Sequence, residues 1–123
     1  MHRVLIVDDE SLIADTLGLI FSKNGFDTQV AYTADDALEC AQTFIPDLLV
    51  CDINMPVRSG LELMADFCRD FPDCRVLVLT GYHSNLTSVA EQSLKHRHPV
   101  RLVTKPCTPV DLLREAGQML ALA

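Results

Sequence analysis

The sequence lacks the features that mark membrane, secreted and nucleic-acid-binding proteins. No apolar stretch approaches the roughly 20 residues needed to span a bilayer, and the apolar run at 4–7 is too short for a signal peptide. Only 10 lysines and arginines oppose 17 aspartates and glutamates, so the net charge is −7 with neutral histidines. That charge repels phosphate backbones. We therefore expect a cytoplasmic protein that contacts neither a membrane nor nucleic acid directly.

The five cysteines show no pairing that would indicate a metal or redox site. There is no Cys-x-x-Cys, and no histidine lies at zinc-ligand spacing from any of them. Most are expected to be small buried hydrophobes in a reducing compartment. Cys51 directly precedes Asp52, and alternation along a strand would point the two side chains to opposite faces. A catalytic thiol at Cys51 is therefore not expected.

Strand and helix patterns alternate along all 123 residues. This length suits one domain with one core, which we place at 1–123. Strands are predicted at 3–7, 27–31, 48–51, 75–79 and 101–103, and helices at 11–24, from 34 to the proline at 46, at 61–71, within 85–95, and from 109 onward. Strict alternation with short connections favours an α/β fold: a single five-stranded parallel sheet, doubly wound as (βα)5.

Local signals fix where several helices begin and end. Gly25 occupies the position at which the first helix should stop, and Thr33 and Thr108 are expected to cap the second and last helices. The apolar residues at helical spacing should form the buried faces of these two helices: Ala37, Leu38, Ala41 and Ile45 in the second, and Val110, Leu113, Ala116 and Leu120 in the last.

Polar residues follow four of the five predicted strands. Because parallel strands end at one edge of a sheet, these side chains should meet there. In chain order they are Asp8 and Asp9 after the first strand, Asp52 and Asn54 after the third, Thr80 after the fourth and Lys105 after the fifth.

Three neighbouring carboxylates repel one another, and a bound Mg²⁺ would relieve that repulsion. Mg²⁺ takes hard oxygen ligands and keeps several waters. Asp9 and Asp52 suit direct ligation, Asp8 could bind through water, and the carbonyl of Asn54 could complete the protein's share. The sequence therefore predicts a magnesium site at this edge.

The remaining polar groups suit phosphoryl transfer. Lys105 would hold an oxygen of an incoming anion and Thr80 would donate a neutral hydrogen bond, with Asp52 as the nucleophile. Each of these residues alone can be explained structurally, as a helix cap, a turn residue or a loop lysine. Their occurrence together at four strand ends favours the functional interpretation.

These residues stand in blocks that resemble the receiver domain of two-component response regulators (CheY-like, flavodoxin-like fold). The resemblance covers essentially the whole chain, in order and at family spacing. The blocks are Asp8-Asp9, Asp52-Ile53-Asn54-Met55-Pro56 with Gly60, Thr80-Gly81, and Lys105-Pro106.

The resemblance implies a signalling switch rather than an enzyme. Asp52 would accept a phosphoryl group from the phosphohistidine of a sensor histidine kinase or phosphotransfer protein. Mg²⁺ would be held by the acids and the Asn54 backbone, while Thr80 and Lys105 would contact the phosphoryl group. The modified domain would act on a downstream effector protein or output domain. It would do so through the helix 4–strand 5–helix 5 surface, formed by the predicted helix within 85–95, the strand at 101–103 and the helix from 109 onward. A phosphorylation-dependent dimer is left open.

One departure from the family pattern affects the switching step. Receivers usually carry Tyr or Phe three residues before the lysine, where this chain has Leu102. Without the aromatic ring, the usual coupling between this position and Thr80 is not expected in its ordinary form.

Two alternative classes of protein fit the sequence less well. An aspartyl-phosphate phosphohydrolase needs a second acid two residues after its nucleophile, and Asn54 cannot donate and recover a proton. A pseudo-receiver that serves only for docking would have lost an acid or Lys105, and none is lost.

Overall fold

The described strands and helices follow one another along the chain in the predicted order. The computed structural model describes residues 2–52, 60–80, 100–104 and 107–121, with the backbone alone at 60, 61 and 80. The strands are β1 (Arg3–Val7), β2 (Asp27–Ala31), β3 (Leu48–Asp52), β4 (Arg75–Thr80) and β5 (Arg101–Thr104). The helices are α1 (Ser11–Lys23), α2 (Ala34–Phe44), α3 (Gly60–Asp70) and α4 (Pro109–Ala121). The predicted helix within 85–95 lies outside the described residues.

The five strands form one parallel sheet in the order β2-β1-β3-β4-β5. This confirms the predicted doubly wound architecture. The central strand β3 is buried along its whole length, as expected of a parallel strand that is covered on both faces. None of the described helices is long and apolar enough to cross a membrane.

The core consists of two apolar layers, one on each face of the sheet. Alternate strand residues enter opposite layers: in β1, Leu5 faces the α2–α3 layer and Ile6 faces the α1–α4 layer. The first layer is rich in alanine from α2 and closes over Phe67 of α3. The second layer is built around Phe21 of α1. This division holds α1 and α4 on one face and α2 and α3 on the other.

The predicted helix boundaries have the expected capping groups. Gly25 has a φ of +92°, in the left-handed region just beyond α1. The Thr33 hydroxyl accepts a hydrogen bond from the Asp36 backbone N–H at 3.1 Å. The Thr108 hydroxyl accepts one from the Asp111 backbone N–H at 3.1 Å. The two predicted threonine caps are confirmed.

Two side chains predicted to be buried are exposed instead. Ile45 is 57% exposed, because it lies beyond the last turn of α2 in a left-handed conformation with φ 50°. Val110 is 67% exposed. The buried stripe of α4 contains Leu112, and Val110 precedes it by two residues, about 200° away around the helix. The predicted faces of α2 and α4 were wrong at these two positions.

Asp47 joins three strands at the amino edge of the sheet. Its carboxylate accepts a hydrogen bond from the Arg3 backbone N–H at 2.7 Å. Its own N–H donates to the Arg3 carbonyl at 2.8 Å, and its carbonyl accepts from the Arg75 N–H at 2.9 Å. These bonds align the starts of β1, β3 and β4, and thereby their carboxyl ends.

Candidate functional site

The sheet reverses its direction of winding between β1 and β3. β2 lies beyond β1 on one side, while β4 and β5 lie beyond β3 on the other. Ligands of open α/β sheets bind outside the carboxyl ends of the strands at such a point. Val7 of β1 is in register with Cys51 of β3. The next residues, Asp8 and Asp52, therefore leave neighbouring parallel strands side by side.

Three carboxylates converge at this point. Asp8, Asp9 and Asp52 each offer an oxygen within 4.8 Å of the others. Asp8 is 1% exposed and Asp52 is 7% exposed, whereas Asp9 is exposed to solvent. The structure thus brings together the three acids that the sequence predicts to meet. Two of them lie largely out of water, where repulsion between like charges is strong.

A backbone hydrogen bond orients Asp8 within the cluster. One carboxylate oxygen of Asp8 accepts from the Glu10 N–H at 3.0 Å. Glu10 is the N-cap residue of α1, and its own side chain makes no capping bond. The Asp8 N–H donates to the Ala31 carbonyl of β2 at 3.2 Å. Asp8 is therefore fixed to β2 and to the start of α1, where the helix dipole favours negative charge.

The oxygen donors of the cluster suit a hard divalent cation. Carboxylate oxygens are the ligands that Mg²⁺ and Ca²⁺ prefer. Cys51, the thiol nearest in sequence, belongs instead to the apolar layer of α2 and α3. Burial, and secondarily the Asp52 charge, raises the pKa of the Cys51 thiol to about 12. Cys51 is thus protonated and inert near neutral pH, in line with the sequence reading.

The other predicted site residues are placed only in part. Asp52 is in register with Leu79 of β4, so the backbone of Thr80 follows one residue beyond it at the same edge. Thr80 is in turn in register with Thr104 of β5, which directly precedes Lys105. Lys105 and Asn54 lie outside the described residues.

One contact of the site could not be foreseen from the sequence. The bond from the Asp8 N–H to the Ala31 carbonyl depends on β1 pairing with β2 in a particular register. No residue pattern specifies that register. The bond from the Glu10 N–H could have been suspected from the sequence. An aspartate just before a helix often accepts a hydrogen bond from a backbone N–H at the helix start.

Comparison with known proteins gives one family and one fold. The model of the response regulator receiver domain family matches residues 4–116. A CheY-like response regulator receiver domain protein from Methanospirillum hungatei JF-1 has a similar structure, with a TM-score of 0.87 and 29% identity over 98% of this chain and 94% of that chain.

Two further solved structures show how this fold occurs elsewhere. NtrX from Brucella abortus matches with a TM-score of 0.85 and 27% identity over 98% of this chain but only 27% of that chain. The Vibrio cholerae chemotaxis protein CheY4 matches with a TM-score of 0.85 and 24% identity over 97% of this chain and 98% of that chain. The second likeness shows the fold alone. The first shows a similar unit within a much longer protein.

Proposed function

This chain belongs to the response regulator receiver domain family, and on that premise we propose that it is a phosphoacceptor switch in which Asp52 is modified. Receiver domains are signalling switches rather than enzymes that turn over a substrate. The observation that carries the proposal is the convergence of the Asp8, Asp9 and Asp52 carboxylates within 4.8 Å at the winding switch point. Such an acidic site is where the family binds Mg²⁺.

Among the three acids, Asp52 is best placed to be the nucleophile. Asp8 is held at the start of α1, where its carboxylate accepts from the Glu10 N–H, and Asp9 is solvent-exposed beyond the end of β1. Asp52 closes the central strand β3, with β1 on one side and β4 on the other. Because paired strands on both sides hold Asp52 in place, its carboxylate can be positioned for in-line attack on phosphorus.

Asp8, Asp9, Asp52 and the backbone carbonyl of Asn54 would hold the magnesium ion. When bound, the ion offsets the charge of these carboxylates and of the phosphoryl oxygens that approach them. The donor chemistry of the described acids fits this ion, because all three supply hard oxygen atoms.

The transfer step would exchange one bond for another. A carboxylate oxygen of Asp52 bonds to phosphorus as the phosphorus–nitrogen bond of a phosphohistidine breaks. The electron pair of that bond stays on the imidazole nitrogen, which takes a proton from solvent. The donor would belong to a sensor histidine kinase or a phosphotransfer protein. Thr80 and Lys105 would contact the transferred phosphoryl oxygens.

The output surface would be formed by the predicted helix within 85–95, β5 and α4. Thr80 is in register with Thr104, and Leu102 lies two residues earlier on β5, where it is 39% exposed. Leucine has no hydroxyl and less apolar area than the aromatic residue usual at this position. We therefore expect only a small structural change in β5 when Asp52 is phosphorylated. A downstream effector protein or output domain would bind this surface, and a phosphorylation-dependent dimer would use it as well.

Phosphoramidate tests the proposal because it carries the same phosphorus–nitrogen bond as phosphohistidine. With Mg²⁺, the intact mass of the wild-type chain should rise by one phosphoryl group. Asp52→Asn should gain none. The matched control is Asp27→Asn, an exposed acid on the edge strand β2, which should gain the same group as the wild type. A wild-type chain that stays unmodified would favour the pseudo-receiver reading instead.

A further inference from the structure

The corner between α1 and β2 carries the pair Asn24-Gly25. Asn24 is the residue that ends α1, and Gly25 follows it with a φ of +92°. Both residues are exposed to solvent, and a Cβ built at Gly25 would have no neighbour within 4 Å. The other two asparagines of the chain precede methionine and leucine. Asn24 is therefore the one asparagine of the sequence whose following residue has no side chain.

An asparagine followed by glycine is chemically reactive, because a glycine nitrogen can approach the preceding side-chain amide without steric hindrance. The Gly25 nitrogen would bond to Cγ of Asn24 and lose its proton, while the bond from Cγ to Nδ2 breaks and ammonia leaves. Water then opens the resulting succinimide at one of its carbonyl carbons. The product is aspartate at position 24, or isoaspartate, in which the main chain continues through the former side chain.

Two hydrogen bonds at the end of α1 hold the reacting groups in an unreactive arrangement. The Asn24 side-chain amide donates to the Ile20 carbonyl at 2.7 Å, in an exposed bond. The Gly25 N–H donates to the Ser22 carbonyl at 3.4 Å, longer than an ordinary N–H···O bond. With ψ 22° at Asn24, the backbone must rotate and release both bonds before the ring closes. Helix ends fray at little cost in free energy, so the folded chain can reach the reactive geometry.

The contacts around this corner determine what the modification would do to the fold. The Phe26 N–H donates to the Phe21 carbonyl at 3.2 Å, and the two rings pack with 5.4 Å between centroids. Phe21 is fully buried in the core. An isoaspartate adds a carbon atom to the main chain between these two residues. Either product also places a carboxylate at the negative end of the α1 dipole. Both changes would destabilise the corner.

We propose that Asn24 is a site of spontaneous deamidation, and that the isoaspartate form of the chain is less stable than the unmodified form. The reaction consumes water alone and releases ammonia. It involves neither Asp52 nor a bound metal ion, so the proposal is independent of the phosphoacceptor role. As the protein ages, its stability would therefore fall through a change at one defined corner of the fold.

Peptide mass spectra of the folded chain, incubated in mildly alkaline buffer without a phosphodonor, test the site. We expect Asn24 to gain the mass that replaces an amide nitrogen by oxygen at least threefold faster than Asn54 or Asn85. Electron-transfer fragmentation should identify isoaspartate among the products. The same chain in urea gives the rate without the fold. An Asn24 that stays intact in the folded chain while it converts in urea would overturn the proposal, as would faster conversion of another asparagine.

Two variants at the same position separate the effects of charge and backbone. Asn24→Asp introduces the carboxylate without the added main-chain atom, and Asn24→Gln retains the amide on a longer side chain that closes a ring far more slowly. The separated isoaspartate form should unfold at a lower urea concentration than Asn24→Asp, and fresh wild-type chain at a higher one. Asn24→Gln should show no early mass gain at this position. Equal urea midpoints of the isoaspartate form and Asn24→Asp, or equally fast conversion of Asn24→Gln, would overturn the proposal.

Discussion

The Asp8 carboxylate accepts a hydrogen bond from the backbone N–H of Glu10, at 3.0 Å. The same side chain belongs to the three-acid cluster and is almost fully buried. One residue therefore performs two tasks. It gives a partner to an otherwise unbonded N–H at the start of α1, and it delivers negative charge beside Asp52.

Two substitutions at Asp8 separate those tasks. Asp8→Asn keeps an oxygen that can accept from Glu10, whereas Asp8→Ala removes it, and both abolish the charge. Asp8→Ala should therefore be less stable than Asp8→Asn by about 1 kcal/mol. Urea unfolding in EDTA measures the difference. Equal stability of the two variants would show that the bond to Glu10 contributes nothing.

Magnesium should stabilise the folded chain against heat. At a concentration ten times its dissociation constant, a ligand of the native state alone adds about 1.4 kcal/mol, or roughly 5 °C in Tm for a chain of this size. Asp9→Asn leaves the two buried acids in place but removes one ligand of the cluster, so most of this shift should disappear. Thermal scans with Mg²⁺ and with EDTA measure it. A full shift in Asp9→Asn would remove Asp9 from the metal site.

Two glycines make a matched pair for packing. A Cβ at Gly18 would lie 2.6 Å from a methyl carbon of Val30, whereas at Gly117 it would meet nothing within 4 Å. Alanine is favoured over glycine within helices by about 1 kcal/mol. Gly117→Ala should thus stabilise the chain by about that amount, while Gly18→Ala should destabilise it by about 1–3 kcal/mol through overpacking.

Denaturant midpoints distinguish these outcomes. Val30→Ala in the Gly18→Ala background should recover part of the loss, because it removes the methyl group that the new Cβ meets. A Gly18→Ala variant as stable as Gly117→Ala would contradict the close packing of α1 against β2.

The buried Cys51 thiol should make stability fall in alkaline solution. Burial raises its pKa from about 9 to about 12, so between these values the unfolded chain loses a proton that the folded chain keeps. Stability then falls as pH rises through this window, by up to about 1.4 kcal/mol per pH unit from this group. Cys51→Ala should show a shallower decline from about pH 9 to pH 11 in urea unfolding. Parallel pH profiles for both chains would exclude the effect.

Much of the fold follows from patterns within single elements. Caps and helix ends involve residues only a few positions apart, so they can be predicted from the sequence. The threonine caps at Thr33 and Thr108 and the helix end at Gly25 are of this kind. The acids that follow β1 and β3 could be grouped because parallel strands end at one edge. This prediction needed only that the strands are parallel. It did not need the order of the strands in the sheet.

What could not be predicted depends on contacts between distant segments. Placing β1 beside β3 puts Asp8 next to Asp52, and no local pattern sets that order. The face of α4 was misassigned at Val110, because several apolar residues allow more than one helical phase and only packing against the sheet selects Leu112. The need for glycine at Gly18 likewise appears only once Val30 lies across from it.

The identity of the phosphoacceptor is tested most directly by chemical reduction of the modified chain. Borohydride reduces an aspartyl phosphate to homoserine and leaves free carboxylates unchanged. After phosphoramidate and Mg²⁺, peptide mass spectra should show homoserine at position 52 in the wild type, and the acids at positions 8 and 9 should be intact. Homoserine at position 8 or 9, or at no position in a chain shown to be folded, would contradict the assignment of Asp52.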